Sequence, residues 1–147
     1  MKKTRKPKIM RDNRRKMNLI EEGEKNMKFK MVHNNFNVFD LEKSLTFYKE
    51  ALGLTEVRRH EHPDGNFILA FLEDGASQHQ LELTWLRDWN KPYDLGDNEF
   101  HLAFVTEDYE DAYQKHKDMG CVCQESNGRF YFIEDPDGYW LEIIKAK

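Results

Sequence analysis

Cysteine is scarce: the 147 residues hold two, Cys121 and Cys123. Two residues apart on a predicted strand, they share a face but cannot easily bridge, so a disulfide-stapled scaffold is excluded and a reducing cytoplasm is the natural compartment. Long apolar runs are also missing, which excludes a membrane-spanning helix, and the N-terminal stretch lacks the apolar core of a secretory signal. Positive charge is confined to one end. Between Lys2 and Lys16 nine Lys and Arg face Asp12, a net of +8; the whole chain is −4, so subtraction leaves −12 for the rest. An acidic domain is a poor electrostatic match for nucleic acid, and neither a nucleic-acid nor a membrane partner is expected.

Residues 1–27 read as a basic extension that is either disordered or not made in the cell at all. Met27-Lys28-Phe29-Lys30 opens directly into the first predicted strand, and Glu21-Glu22-Gly23 is what a purine-rich ribosome-binding sequence would encode a few positions upstream. Met27 is therefore expected as the native start; peptides from residues 1–26 in the endogenous protein would overturn that. Residues 28–147 suit one domain by size.

That domain repeats itself. His33 stands seven residues before Asp40, which opens a helical stripe of Leu41, Leu45, Tyr48 and Leu52 ended by Gly53. His101 stands seven residues before Asp108, which opens a stripe of Tyr109, Ala112, Tyr113 and His116 ended by Gly120. Phe71-Leu72-Glu73-Asp74 is matched by Phe132-Ile133-Glu134-Asp135, and Leu81-Glu82-Leu83 by Leu141-Glu142-Ile143. Four matched elements in one order imply duplication.

Each unit reads as strand, helix and three strands: an α+β fold of two tandem βαβββ modules, residues 29–90 and 98–145. The strands are predicted at 30–38, 55–60, 66–72 and 80–86, then 99–106, 121–124, 129–134 and 139–145. A sheet curling around its helix offers a concave face. Side chains alternate along a strand, so Glu82 and Glu142 project opposite to their apolar neighbours, where burial is costly unless something positive meets them. His33, Glu82, His101 and Glu142 sit at equivalent repeat positions and form a ligand set for a divalent metal. No thiolate joins them, which argues against a closed cysteine zinc site. Two imidazoles and two carboxylates leave about two open positions on an octahedral Ni²⁺, Co²⁺, Mn²⁺ or Fe²⁺. A substrate with two adjacent oxygens could chelate there, with one carboxylate acting as base for a neighbouring C–H proton.

On Asp40 to Tyr48 with Leu52-Gly53-Leu54, on Leu81-Glu82-Leu83-Thr84, on His101-Leu102-Ala103-Phe104 and, most specifically, on Glu134-Asp135-Pro136-Asp137-Gly138-Tyr139-Trp140-Leu141-Glu142, the chain resembles the glyoxalase I (lactoylglutathione lyase) family of the vicinal oxygen chelate superfamily, over about residues 29–145. The resemblance implies the glyoxalase/bleomycin-resistance-like curved sheet and metal ligation by His33, Glu82, His101 and Glu142. His33 looks like the nickel- or cobalt-activated branch, so Ni²⁺ or Co²⁺ is favoured over Zn²⁺. The implied reaction is methylglyoxal detoxification: isomerisation of a methylglyoxal–thiol hemithioacetal to an S-lactoyl thioester through an enediolate, with Glu142 the base and Glu82 opposite it. Family members are commonly homodimers whose sites draw on both chains, so one chain or two could supply the four ligands.

The thiol is glutathione or another. Asn37 stands where relatives usually place a glutathione-gripping Arg, and Leu86 where they often have an Asn; Arg58 matches a family arginine. Trp85, with Trp89 and Tyr93, either lines the substrate mouth or packs at a dimer seam. His60 and His62 read as a solvated hairpin tip, His79 as loop, and His116 as a satisfied, partly buried imidazole. Two other readings stand beside the lyase. One is a different metalloenzyme of the superfamily, a thiol transferase or dioxygenase; the other is a metal-free small-molecule binding or resistance protein.

Overall fold

Asp40 and Gly53 bracket the first helix, α1, over Leu41–Leu52. Asp40 is extended (φ −123°, ψ 103°) and its carboxylate accepts the Lys43 amide at 3.0 Å, which satisfies an amide that the first turn leaves without a partner. Gly53 takes φ 68°, a left-handed turn open to glycine, and its amide returns to the Lys49 carbonyl. The buried stripe is Leu41, Ser44, Tyr48 and Ala51, with Leu45 and Leu52 at its edge. The second helix, α2, runs Tyr109–Asp118 and buries Tyr109 and His116. Asp108 holds its N-cap position but makes no side-chain cap bond; its own amide donates to Thr106 Oγ1.

The computed structural model describes residues 27–147; the predicted basic extension and the proposed start at Met27 concern residues 1–26, outside the described residues. Met27–Met31 carry no helix or strand, and residues 32–147 form one unit. Its first half contributes β1 (His33–Val38), β2 (Thr55–Glu61), β3 (Phe67–Glu73) and β4 (Gln80–Leu86) in the order β1-β4-β3-β2. The second contributes β5 (His101–Thr106), β6 (Val122–Gln124), β7 (Phe130–Glu134) and β8 (Trp140–Lys145) in the order β5-β8-β7-β6. In both sheets the first strand lies parallel to the last and the other pairs are antiparallel. The two βαβββ modules are therefore present, with each module building its own four-stranded mixed sheet.

Two strands begin two or more residues later than their sequence suggests. β1 opens at His33 rather than Lys30 and β5 at His101 rather than Glu99, because their partners open only at Gln80, opposite His33, and Trp140, opposite His101. A strand extends no further than its ladder.

One face of each sheet feeds the core. Leu81 and Leu83 on β4, and Leu141 and Ile143 on β8, are buried with Phe36, Val38, Ala70, Leu72, Tyr131 and Ile133 in one cluster spanning both modules. The Asp135-Pro136-Asp137-Gly138-Tyr139 turn docks this second module onto α1. Asp137 accepts the Phe39 amide at 2.9 Å just before the helix, where the dipole favours a negative charge. Asp135 accepts the Tyr48 hydroxyl at 2.7 Å, Tyr139 donates to the Asn37 carbonyl, and the Tyr139 ring stacks on Phe36 at 4.2 Å. Burial pushes the Asp135 carboxyl up to about 6 and raises the Tyr48 phenol as well. A second tie uses the buried His116, whose Nε2 lies 2.7 Å from the Ala51 carbonyl and whose Nδ1 lies 2.8 Å from the Tyr131 hydroxyl. The carbonyl can only accept, so Nε2 carries the proton and Nδ1 accepts from tyrosine. The satisfied imidazole expected at His116 is there.

Candidate functional site

Strand alternation that sends Leu81 and Leu83 inward turns Glu82 to the outer face of the first sheet, and Leu141 and Ile143 do the same for Glu142. Each glutamate meets the histidine that opens the neighbouring parallel strand. His33 Nε2 lies 3.2 Å from Glu82 Oε2, and His101 Nε2 lies 3.1 Å from Glu142 Oε2. Both imidazoles sit edge-on to a phenylalanine of the third strand, His33 on Phe71 at 5.6 Å and His101 on Phe132 at 5.3 Å, each with an interplanar angle of 87°. The repeat thus extends from sequence to side-chain geometry.

A second repeated device is a backbone irregularity. On β2 the register shifts at Val57, so Arg58 rather than Val57 faces Phe71, and the guanidinium lies 3.6 Å above that ring. Without the shift, Arg58 would stand opposite Ala70 on the core face. β6 shifts likewise between Val122 and Gln124, which places Gln124 opposite Phe132 and breaks the alternation expected to put Cys121 and Cys123 on one face.

Of the other residues singled out in the sequence, Asn37 and Leu86 share the Glu82 face, Asn37 opposite Thr84 and Leu86 opposite Phe67. Trp85 does not: it alternates with Glu82 and packs with Ile68 against the core, so it is not brought to the site. Trp89 and Tyr93 stack on each other at 4.7 Å in the segment joining the modules. His62 accepts the Asp64 amide at the hairpin tip, and His79 bonds Asn34 at 2.7 Å.

Sequence reading missed Asn35 and Thr84. Asn35 donates to Thr84 Oγ1 and, at 3.3 Å, to Glu82 Oε1, while the Thr84 hydroxyl donates to the same carboxylate oxygen at 2.9 Å. Period-two spacing holds the signal, since Asn35 is two residues beyond His33 and Thr84 two beyond Glu82.

The donor set fits a divalent cation. Metal bonds of about 2.1 Å at right angles put adjacent donor atoms roughly 3.0 Å apart, and each imidazole–carboxylate pair shows nearly that separation with the nitrogen and one oxygen converging. Among the described residues no three His, Cys, Asp or Glu side chains gather at one point. The chain presents two half-sites, and the four residues read from the sequence are brought together two by two.

Comparison with known proteins gives the class. Residues 30–143 match the model of the Glyoxalase/Bleomycin resistance protein/Dioxygenase superfamily, and the chain belongs to that family. Within it, the chain is 35% identical to the lactoylglutathione lyase of Neisseria meningitidis, a match covering 80% of this chain and 91% of that protein. It is 33% identical to a probable lactoylglutathione lyase of Synechocystis, covering 79% and 95%. Among solved structures it is similar to the trypanothione-dependent glyoxalase I of Leishmania major, with a TM-score of 0.71, 28% identity and 80% and 87% of the two chains covered. A fosfomycin resistance protein from Listeria monocytogenes shares the fold at TM-score 0.63 and 16% identity.

Proposed function

We propose that this protein is a metal-dependent glyoxalase I-type lyase that isomerises the hemithioacetal of methylglyoxal and a thiol to an S-lactoyl thioester. The observation that carries the reading is the duplicated His–Glu pair, each half offering two converging donors. Lactoylglutathione lyases among the relatives support the reaction. A thiol transferase or a dioxygenase would not need the second carboxylate, and a binding protein would need none of the four.

His33, Glu82, His101 and Glu142 would hold the cation, with Ni²⁺ or Co²⁺ preferred to Zn²⁺ because a four-ligand set with two remaining positions suits octahedral ions. The cation would act as a Lewis acid toward the two adjacent substrate oxygens. Glu142 takes the proton from the hydroxyl-bearing carbon and returns it to the neighbouring carbonyl carbon; the hydroxyl proton moves to the former carbonyl oxygen, so no atom is gained or lost. Glu82 stands opposite. Arg58, at the end of the Glu82–Phe71 row, would receive a carboxylate of the thiol, and Asn37 and Leu86 share the same face.

The active unit is a homodimer in which His33 and Glu82 of one chain meet His101 and Glu142 of the other. Support comes from the exposure of His33 and His101 in the single chain and from apolar Val105, 68% exposed on the second site face. The small-molecule partner is a thiol hemithioacetal. Glutathione is the first candidate; the similar Leishmania major glyoxalase I is trypanothione-dependent, which supports another thiol as the alternative. Free Cys121 and Cys123 suit a cytoplasmic location, and no described helix is long and apolar enough to cross a membrane.

The test is turnover of the methylglyoxal–glutathione hemithioacetal by metal-stripped protein to which Ni²⁺, Co²⁺, Mn²⁺ and Zn²⁺ are returned separately. Restoration by Ni²⁺ or Co²⁺ is expected. Undiminished turnover by the stripped protein would refute the metal requirement, and metal binding without turnover of any thiol adduct would refute the reaction.

A further inference from the structure

The two half-sites match in their ligands and differ in what surrounds them. Four positions border each glutamate on its own face: one across the parallel strand, one across the antiparallel strand, and one on either side along its own strand. For Glu82 these are Asn35, Phe71, Gln80 and Thr84; for Glu142 they are Ala103, Phe132, Trp140 and Ile144. Only the phenylalanine is kept. The three remaining positions are polar around Glu82 and apolar around Glu142.

This difference divides the carboxylate oxygens unequally. Glu82 Oε2 points to His33, and Oε1 is tied chiefly by the Thr84 hydroxyl at 2.9 Å, which in turn receives the Asn35 amide, and more weakly by that amide itself at 3.3 Å. The relay uses each hydrogen once: Asn35 N–H to Thr84, Thr84 O–H to Glu82. Gln80 takes no part, because it donates to Glu73 at 2.6 Å and accepts from Arg58. Glu142 Oε2 points to His101, while its Oε1 has no hydrogen-bond partner among the described residues. A carboxylate tethered through one oxygen keeps the other aimed; one without a tether can swing about its χ angles at little cost.

We propose that Asn35 and Thr84 are positioning residues that lock Glu82 as the permanent ligand, and that their replacement by Ala103 and Ile144 in the second module leaves Glu142 free to move between ligand and base. Duplicated modules acquire different roles here through two neighbours rather than through the ligands. The inference rests on the metal-dependent reading above.

The test uses the full chain with Co²⁺ as the probe. Thr84→Val removes the donor at nearly constant volume, and Thr84→Ser restores it. The expected result is Co²⁺ affinity weakened about tenfold in Thr84→Val and within about twofold of wild type in Thr84→Ser, measured by competition with a chromophoric chelator. The converse variant, Ala103→Asn with Ile144→Thr, installs the relay beside Glu142; it should retain Co²⁺ while kcat falls about tenfold at unchanged KM. Unaltered affinity in Thr84→Val, or equal loss in Thr84→Ser, overturns the clamp, and wild-type kcat in the converse variant overturns the mobility of Glu142. Wild-type protein that binds no Co²⁺ takes down the metal reading along with the clamp, which separates the two failures.

Discussion

A glutamate flanked on its strand by two buried aliphatic residues tells the chemist where its carboxylate goes, and Glu82 and Glu142 both obey. Alternation alone fixed their common face, and repeat position paired each with its histidine, so the four proposed ligands were readable from the chain. Arg58 was nameable, but its face was not, because the shift at Val57 reverses the pleat before it. Asn35 and Thr84 escaped notice because polar residues on a half-exposed strand look like a solvated surface until a shared acceptor is seen. Trp85 failed for the opposite reason: proximity in sequence to Glu82 is not proximity on the sheet. Two outcomes follow at this scale. Glu142→Gln should lower kcat by about 10³-fold or more while the fold and thermal midpoint hold, because the amide cannot accept the proton; steady-state kinetics beside circular dichroism checks it. Arg58→Leu should raise KM for the glutathione adduct about tenfold or more with kcat little changed, since a uniform binding contact is lost; an unchanged KM would remove Arg58 from the substrate site.

At the scale of elements, both helices follow an Asp in the sequence, yet one of the two is capped. Asp40 bonds the Lys43 amide, whereas Asp108 at φ −91° and ψ 42° makes no cap bond. Asp40→Ala should therefore cost about 1 kcal/mol and Asp108→Ala only a few tenths, as read from urea midpoints at constant m. The spacing rule could place both helices but could not see the backbone angle that makes a cap. The docking turn adds a pH signature. Burial raises Asp135 to about 6 in the folded chain, above its unfolded value near 4, so its carboxyl favours folding when protonated. Stability from this group is full below about pH 4 and is lost as pH rises toward 6, by about 3 kcal/mol at most. His116 acts the other way. Burial lowers it, so its contribution is full above the unfolded value near 6.5 and is lost as pH falls through the lowered folded value. Asp135→Asn should flatten the first limb of a thermal-midpoint profile between pH 4 and 6 and leave the acid limb set by His116.

For the whole molecule, duplication explains an economy and a deficit together. One chain builds two sheets with matching His–Glu pairs and joins them through α1, the Asp135–Tyr139 turn and His116, with the faces that carry the pairs turned away from the shared core. The sequence revealed the modules because a repeat is a pattern along the chain. How many chains complete a site depends on the relation between copies, which no pattern within one chain encodes. Among the described residues of the single chain no more than two of the proposed ligands converge. The proposed homodimer would resolve this by facing the first sheet of one copy to the second sheet of the other.

Co-expression of His33→Ala and Glu142→Gln subunits under different tags, with purification through both, tests that directly. In such a mixed dimer one site collects both defects and the other collects none. The account predicts turnover near half that of the wild-type dimer from two subunits that are each inactive as homodimers. A mixed dimer as inactive as its parents would contradict it and return all four ligands to a single chain.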